Sequence, residues 1–169
     1  MTAKLTHVDE RGAMRMVDVG DKEVTSRLAM ARAVVTMEAS TARLLRDGKT
    51  PKGDVLAAVR LAGIMGAKNT STIVPLCHPI ALSKVEIEVE VGRASATITT
   101  RVRCEGKTGV EMEALTAASA AALCLYDMLK AKDRGMTFEV ALLHKEGGKS
   151  GVFTRAASTK KGAPRKGTR

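Results

Sequence analysis

The chain has 169 residues and a formal net charge of +10, with two Phe, one Tyr and no Trp. This length suits one domain with its own core, and three cysteines without a CxxC spacing argue against a disulfide framework or a structural zinc site. No apolar segment follows Met1 as in a secretory signal, and the longest apolar stretch, Ala117–Leu125, is far shorter than the ~20 residues that cross a bilayer. We therefore expect a soluble, cytoplasmic protein without a membrane segment.

Much of the positive charge lies at the carboxyl terminus. Thr154–Arg169 contains six Lys or Arg residues and no acid, so that removing these six from +10 leaves +4 for residues 1–153. The tail has no apolar periodicity, which is typical of disordered segments. We therefore predict one folded domain over residues 1–153 and a basic, disordered tail over residues 154–169.

The first half of the chain contains two predicted strands and two predicted helices. Met14–Val19 alternates enough for a short strand, and the β-branched residues at the end of Thr25–Met37 favour a strand there too. A short helix is predicted over Ser40–Arg46, with the serine as its N-cap. A longer helix is predicted over Asp54–Lys68, with the aspartate as its N-cap.

The second half of the chain begins with its clearest strand pattern, Lys84–Val91 (KVEIEVEV), in which apolar residues alternate with glutamates. A tight turn leads to a second strand, Ala94–Arg103. Thr108–Glu111 matches a capping box, so a long helix is expected over Gly109–Lys132. A last strand follows over Thr137–Leu143. An adjacent antiparallel pair mixed with helices predicts an α+β fold with the helices on one face of an antiparallel sheet.

Three Gly-Lys-Ser/Thr triplets occur, at Gly48–Thr50, Gly106–Thr108 and Gly148–Ser150. None has the additional glycine five positions earlier that a Walker motif requires. Loops of this composition at helix N-termini can still bind phosphate through free amide groups, although ordinary solvated turns have the same pattern. Three such loops in one short chain shift the balance modestly toward a polyphosphate ligand.

His78 lies in a loop whose backbone is restricted by Pro75 and Pro79. An imidazole held in this way can donate a hydrogen bond to a phosphate or transfer a proton near pH 7. A surface loop with a capping histidine would show the same pattern, so this segment alone leaves both interpretations open. His7 and His144 have no such frame, and we assign them no role.

The two ends of the predicted long helix carry the remaining candidates. Asp127 and Lys130 share a face at one end, as an ordinary surface ion pair also would, and Glu111 and Glu113 lie at the other end. Glu113 and Asp127 are separated by about 21 Å along the axis, which is too far for one small ligand. If both ends are functional, two antiparallel copies could each contribute one end to a shared pocket, with the alanine-rich helix face as their interface.

Several exact strings resemble one family. They are KGDV (Lys52–Val55), PLCHP (Pro75–Pro79), LSKVE (Leu82–Glu86), GKTGVEMEALTAAS (Gly106–Ser119), YDM (Tyr126–Met128) and GGKSG (Gly147–Gly151). Over about Leu5–Phe153 the chain is similar to the molybdenum-cofactor biosynthesis protein C family, the cyclic pyranopterin monophosphate synthases. The resemblance implies a ferredoxin-like α+β fold in a catalytic domain, and dimers that assemble into a hexamer with active sites at the dimer interfaces.

The resemblance also implies a reaction and a set of site residues. The family converts 3′,8-cyclo-7,8-dihydro-GTP, a small-molecule substrate, to cyclic pyranopterin monophosphate and releases pyrophosphate, which is the work of a phosphorus–oxygen lyase. The catalytic residues that carry over are Lys52, Asp127 and Lys130. The substrate-binding residues that carry over are Arg27, Leu76, Cys77, His78, Glu111, Met112, Glu113 and Lys145. No tightly bound cofactor and no metal-binding residues are expected, and magnesium is considered only as an ion that accompanies the triphosphate.

Proton transfers must open the purine-derived ring and rebuild it as a pterin. We hypothesise that Lys130 and Lys52 donate or accept these protons, with Asp127 orienting one of them. Their pKa values would then be displaced toward neutrality by burial and by one another.

The second chemical demand is the attack of a ribose-derived hydroxyl on the α-phosphate. His78, Lys145 and Lys149 are suited to stabilising the negative charge that develops there. Glu111 and Glu113 are suited to holding the guanine-derived donors.

Two other functions compete with this interpretation. A nucleic-acid-binding module would explain the net charge, but the scarcity of aromatic residues for stacking argues against it. A non-catalytic nucleotide sensor is compatible with the spacing of the charged residues. Loss of nucleic-acid binding on deletion of Thr154–Arg169 would favour the first alternative, and the absence of product would favour the second.

Overall fold

The computed structural model describes Val8 and residues 11–156 as one five-stranded antiparallel sheet with four helices. The strands, in the sheet order β2-β3-β1-β4-β5, are β1 (Thr25–Thr36), β2 (Lys84–Val91), β3 (Ser95–Gly106), β4 (Thr137–Glu146) and β5 (Phe153–Thr154). The helices are α1 (Ala39–Arg46), α2 (Val55–Lys68), α3 (Thr70–Ile73) and α4 (Glu111–Leu129). The predicted α+β class is confirmed.

The core lies between the sheet and the long helix α4, which packs against β1, β3 and β4. The inward side chains of the central strand β1 are small, and four of them are fully buried: Ala29, Ala31, Ala33 and Val35. Their register partners on β3 are also buried, among them Ile98 and Val102. Alternation of buried and exposed residues along both strands therefore directs one sheet face toward α4.

Helices α2 and α4 approach closely because two glycines of α2 lie at their contact. A Cβ atom on Gly66 would lie 2.6 Å from the Ala120 Cβ and 3.0 Å from the Thr116 carbonyl oxygen, and one on Gly63 would lie 2.9 Å from Ile87 Cδ1. The buried alanines of α4 face α2 and the sheet. The alanine-rich face is thus covered within the chain, and the hypothesis that it forms the interface of a two-fold dimer is wrong.

Two of the predicted helix starts differ in accuracy. Asp54 is the N-cap of α2, and its Oδ1 accepts a hydrogen bond from the Ala57 amide at 2.9 Å. Ser40 is not the N-cap of α1, because the helix begins earlier and Glu38 holds that position. The amide of Glu38 donates to Oδ2 of the buried Asp133 at 2.8 Å, so a carboxylate distant in sequence stabilises this turn.

The predicted capping box before α4 is also wrong. Val110 occupies the N-cap position, and no side chain caps the helix there. The Glu111 carboxylate instead lies over Gly109, where a Cβ atom would overlap it. The helix ends at Leu129 rather than Lys132.

The strands β2, β3, β4 and β1 are confirmed, but Met14–Val19 does not form a strand. Its one ladder contact is an isolated bridge between Val8 and Met14. The two ends of the sheet are occupied by β2 and β5, so within the described residues this segment has no strand beside it to pair with. It instead runs as an exposed arm toward the start of β1.

The carboxyl end of the described chain pairs with the sheet. Phe153 and Thr154 pair with Lys145 and His144, and the Arg155 amide donates to the Leu143 carbonyl at 2.8 Å. The sheet therefore includes Thr154, one residue beyond the predicted domain boundary. Residues 157–169 lie outside the described part of the chain, and the disordered tail stays a prediction.

Helix α4 is the one helix in the described residues long and apolar enough to cross a membrane, judged by length and composition alone. Eight of its residues are buried in the protein core, among them Leu125 and Leu129. Its apolar character is therefore explained by packing against the sheet and α2.

We predict that Gly66→Ala destabilises the protein by about 1–3 kcal/mol, because the new methyl group would overlap α4. Helix propensity alone would stabilise the same substitution by roughly 0.5–1 kcal/mol, so the sign of the change is informative. Chemical denaturation measures it. The compensating variant Gly66→Ala/Ala120→Gly should recover part of the loss, and a more stable Gly66→Ala protein would contradict the close contact.

Candidate active site

The α2–α4 contact brings three predicted catalytic residues together at the carboxyl end of α4. The Lys130 ammonium lies 2.7 Å from Asp127 Oδ1, and that of Lys52 lies 3.6 Å from Asp127 Oδ2. Lys52, in the loop before α2, also donates to the Asp127 main-chain carbonyl at 3.0 Å. This carbonyl belongs to the last turn of the helix, where a cation is favourable. We call these residues the lysine–aspartate cluster.

The ionisation of the lysine–aspartate cluster differs from the prediction. The hydrogen bond and the charge of Lys130, followed by the charge of Lys52, lower the pKa of Asp127. The same hydrogen bond raises the pKa of Lys130. Both pKa values therefore move away from neutrality, because the side chains are about half exposed, at 51% and 57%, and pay little for staying charged in water.

A second group of predicted residues lines a cavity of about 330 Å³ at the opposite end of α4. The proline-framed loop contributes Leu76, Cys77 and His78, and the first turn of α4 contributes Glu111, Met112 and Glu113. The arm before β1 closes one side with Val17 and Val19. We call this space the His78 cavity.

Glu113 is the buried carboxyl group of the His78 cavity, with 3% of its surface exposed. Burial, and then the nearby charge of Glu111, raise the pKa of Glu113. Burial and then Glu113 also raise the pKa of the Cys77 thiol. A carboxyl group in such surroundings can hold a proton closer to neutral pH, or accept hydrogen bonds from a ligand that enters the cavity.

A larger cavity of about 780 Å³ adjoins the His78 cavity, and Lys22, Thr108, Gly109 and Glu111 line both. Arg27, with 8% of its surface exposed, lines it from β1, and its Nε donates to the Gly106 carbonyl at 3.2 Å. We call this space the Arg27 cavity.

Lys145 lies apart from the residues that line the two cavities. Its ammonium group donates to Ser150 Oγ and, at 2.8 Å, to the Gly151 carbonyl. It therefore holds the glycine loop that follows β4. Lys149, in that loop, lines the Arg27 cavity.

The predicted site residues thus form two separate groups in one chain. Glu113 in the His78 cavity and Asp127 in the lysine–aspartate cluster are fourteen residues apart on α4, about 21 Å along the axis. No group of three or more His, Cys, Asp or Glu side chains in the described residues is arranged to hold a metal ion.

Some lining residues were not identified from the sequence. Val17, Val19 and Lys22 come from the arm that was interpreted as a strand. Thr25 also lines the Arg27 cavity. Lys107, which lines the same cavity, lies in a Gly-Lys-Thr triplet, so that motif was the one available signal.

Comparison with known proteins identifies the relatives of the chain. The family model described as the MoaC family matches residues 16–148. Three relatives named cyclic pyranopterin monophosphate synthase are 52–56% identical. They come from Thermomicrobium roseum (52%; 90% of this chain and 94% of that protein), Methylobacterium sp. strain 4-46 (54%; 89% and 96%) and Herpetosiphon aurantiacus (56%; 88% and 93%).

Among solved structures, the de novo designed protein Foldit4 is similar with a TM-score of 0.25 at 14% identity. The match covers 70% of this chain and 96% of that one. A likeness this low carries no argument about fold or function.

We predict that Glu113→Gln increases stability at pH 7 and that the increase shrinks at pH 4. Because burial raises the pKa of Glu113, its protonated form is favoured in the folded protein. The resulting cost is absent below the pKa of the unfolded chain and appears as the pH rises through the folded pKa. Thermal unfolding at both pH values tests this.

Glu90→Gln, on the exposed face of β2, is the matched control for Glu113→Gln and should change the melting temperature little at either pH. A Glu113→Gln protein equally destabilised at pH 4 and pH 7 would show that its carboxylate makes a stabilising contact instead.

Proposed function

This chain belongs to the MoaC family, and we propose that it acts as a cyclic pyranopterin monophosphate synthase in molybdenum cofactor biosynthesis. Its substrate is 3′,8-cyclo-7,8-dihydro-GTP, and its products are cyclic pyranopterin monophosphate and pyrophosphate. The enzyme is a phosphorus–oxygen lyase of the cytoplasm. The observation that carries the proposal is the division of charged groups into a proton-transferring cluster and a set of cavities suited to a nucleotide.

The lysine–aspartate cluster supplies the proton transfers. Lys130 and Lys52 exchange protons with the ring that is opened and rebuilt, and Asp127 orients them. Both lysines contact the same carboxylate, so one of them can lose a proton while the other still balances the charge of Asp127. Positioned acid–base groups of this kind contribute about 10²–10⁴-fold to a rate.

The His78 cavity binds the guanine-derived part of the substrate. Leu76, Cys77 and Met112 provide apolar contacts, and Glu111 and Glu113 accept hydrogen bonds from its N–H groups. His78 lies in the same cavity and donates to a phosphate oxygen.

The cyclisation step needs positive charge and a base. A ribose-derived hydroxyl oxygen bonds to the α-phosphorus, its proton passes to a base, and the bond between the α-phosphorus and the bridging oxygen breaks. Pyrophosphate leaves with the electron pair of that bond. Cations that are in place before the reaction stabilise this negative charge without reorganisation. Magnesium, where present, accompanies the triphosphate.

The complete site forms between two copies of the chain. One small substrate cannot reach both ends of α4, but an antiparallel copy places the lysine–aspartate cluster of one chain at the His78 cavity of the other. Exposed apolar side chains on the outer surfaces of α2 and α4 support this arrangement: Leu61 (61% exposed), Met65 (48%) and Leu123 (60%). The alanine-rich face plays no part in it. Assembly of such dimers into a hexamer rests on the family resemblance.

Formation of the dimer also accounts for the ionisation of the lysine–aspartate cluster. In the single chain, water stabilises Asp127 and Lys130 in their charged forms. Covering the cluster with a second chain and a substrate removes that water, which shifts the pKa values of carboxylates upward and of lysines downward. The shift toward neutrality is therefore a property of the assembled site.

We predict that Lys130→Ala folds normally and loses product formation by at least about 10²-fold, because the site loses a proton donor. Product is measured by mass spectrometry with 3′,8-cyclo-7,8-dihydro-GTP. Lys132→Ala, an exposed lysine two residues further on, is the matched control and should retain activity. Near-normal turnover by the Lys130→Ala protein would refute the assigned role.

We further predict that two inactive variants restore activity when they share a dimer. Lys130→Ala removes one half of the site and His78→Ala the other, so co-refolded equal amounts should recover about one quarter of wild-type activity. Half of the dimers are then mixed, and each mixed dimer has one intact site. Mixing Lys130→Ala with Asp127→Asn, in the same half, should restore nothing. If the first mixture is also inactive, each site lies within one chain.

A further inference from the structure

The glycine loop after β4 packs directly against Arg27. Gly147 and Gly148 have φ values of 93° and 74°, which side-chain-bearing residues rarely adopt. A Cβ atom on Gly148 would overlap Arg27 Nη1, and one on Gly147 would overlap the Ser26 carbonyl oxygen. The two glycines therefore allow the loop to close over the guanidinium group.

Arg27 is a buried cation without a carboxylate partner among the described residues. Its Nε donates to the Gly106 carbonyl, and 8% of its surface is exposed, toward the Arg27 cavity. A guanidinium group does not lose its charge in proteins, and burying it unpaired is costly. Thr25 Oγ1, on the same cavity wall, is also buried without a hydrogen-bond partner. Both groups are suited to an anion that enters from outside.

Two of the three Gly-Lys-Ser/Thr triplets meet at this cavity. Lys107 and Thr108 line one side, and Lys149 and Ser150 line the other. The triplet Gly48–Thr50 lies at a different, smaller cavity near the start of α2. The spatial convergence of two triplets, rather than their number in the sequence, indicates a polyphosphate site.

The Arg27 cavity also contains acidic residues. Asp21 and Glu23 are exposed on the arm, and Glu111 lies on the wall shared with the His78 cavity. None of these three carboxylates forms an ion pair with Arg27, Lys107 or Lys149 in the described residues. The cations of the cavity are therefore not neutralised by its acids.

We infer that the Arg27 cavity binds the pyrophosphate that leaves the substrate, with Arg27 and Lys149 contacting its oxygens. This inference rests on the proposed function, because the leaving group is defined by that reaction. Position supports it: the Arg27 cavity shares a wall with the His78 cavity, so one extended ligand can occupy both. Lys149 and Arg27 then balance the charge that pyrophosphate gains when the bond to the α-phosphorus breaks.

Lys145 is a positioning residue in this site. Its ammonium group already donates to Ser150 and Gly151, which holds the loop in place over Arg27. Lys149, from the same loop, contacts the ligand. This assignment exchanges the roles of two lysines that the sequence alone treats alike.

Titration calorimetry of the full-length protein with inorganic pyrophosphate tests the inference. We expect Lys149→Ala to weaken binding by about 10-fold or more, as the loss of a charge-assisted hydrogen bond does. Lys49→Ala, the equivalent lysine in the triplet at the other cavity, is the matched control and should bind as the wild type does. No binding by the wild type, or equal loss in both variants, would overturn the inference.

Hydrogen exchange separates the positioning role of Lys145 from a contact role. Lys145→Ala should weaken pyrophosphate binding and also speed amide exchange across residues 147–151, whereas Lys149→Ala should leave that exchange unchanged. Lys145→Arg should restore protection in part. Unchanged exchange in Lys145→Ala would overturn the positioning role.

Product analysis of the wild type distinguishes failure of this inference from failure of the proposed function. If the protein makes cyclic pyranopterin monophosphate but Lys149→Ala binds pyrophosphate normally, the inference fails and the function stands. If no product forms but pyrophosphate binding depends on Lys149, the oxyanion site stands and the function fails.

Discussion

The close contact between α2 and α4 is the constraint on which the candidate site depends. Gly63 and Gly66 remove the side chains that would separate the helices, and the alanines of α4 do the same from the other side. As a result, the loop before α2 reaches the carboxyl end of α4, where Lys52 meets the carbonyl and carboxylate of Asp127. A wider helix separation would take Lys52 out of contact, so core packing and the charged cluster are one geometric feature.

The single chain leaves several ionisable groups in states that do not favour its own stability. Glu113 and Arg27 are buried without an opposite charge, and the lysine–aspartate cluster is exposed to water. Folding alone gives no reason to retain such groups, since each buried one costs free energy. They become useful when a charged ligand and a second chain complete the site, which is how strain and charge at functional sites are commonly compensated.

Local patterns in the sequence predicted most of the fold, and the errors have a common cause. Lys84–Val91 and Asp54–Lys68 were predicted well because alternation and an N-cap aspartate act within a few residues. Met14–Val19 and the Thr108 capping box failed because their outcome depends on distant partners. The lysine–aspartate cluster was half predictable, since Asp127 and Lys130 share a helix face, but the arrival of Lys52 depends on the α2–α4 contact. The family resemblance supplied the site residues that local patterns could not.

A β-bulge explains why Lys145 rather than His144 faces the side of the sheet that carries Arg27. The pairing of β1 with β4 shifts between Met30 and Ala31, so that Ala31 pairs with Leu142 while Met30 pairs with His144. The additional residue, Leu143, reverses the alternation of β4 beyond it, and Lys145 comes to pair with Ala29 on the face of Arg27. Without the bulge, this lysine would lie on the opposite face, and the glycine loop would lose the ammonium group that holds it over Arg27. One inserted residue in a strand thus sets the orientation of a loop that the sequence pattern alone describes only as glycine-rich.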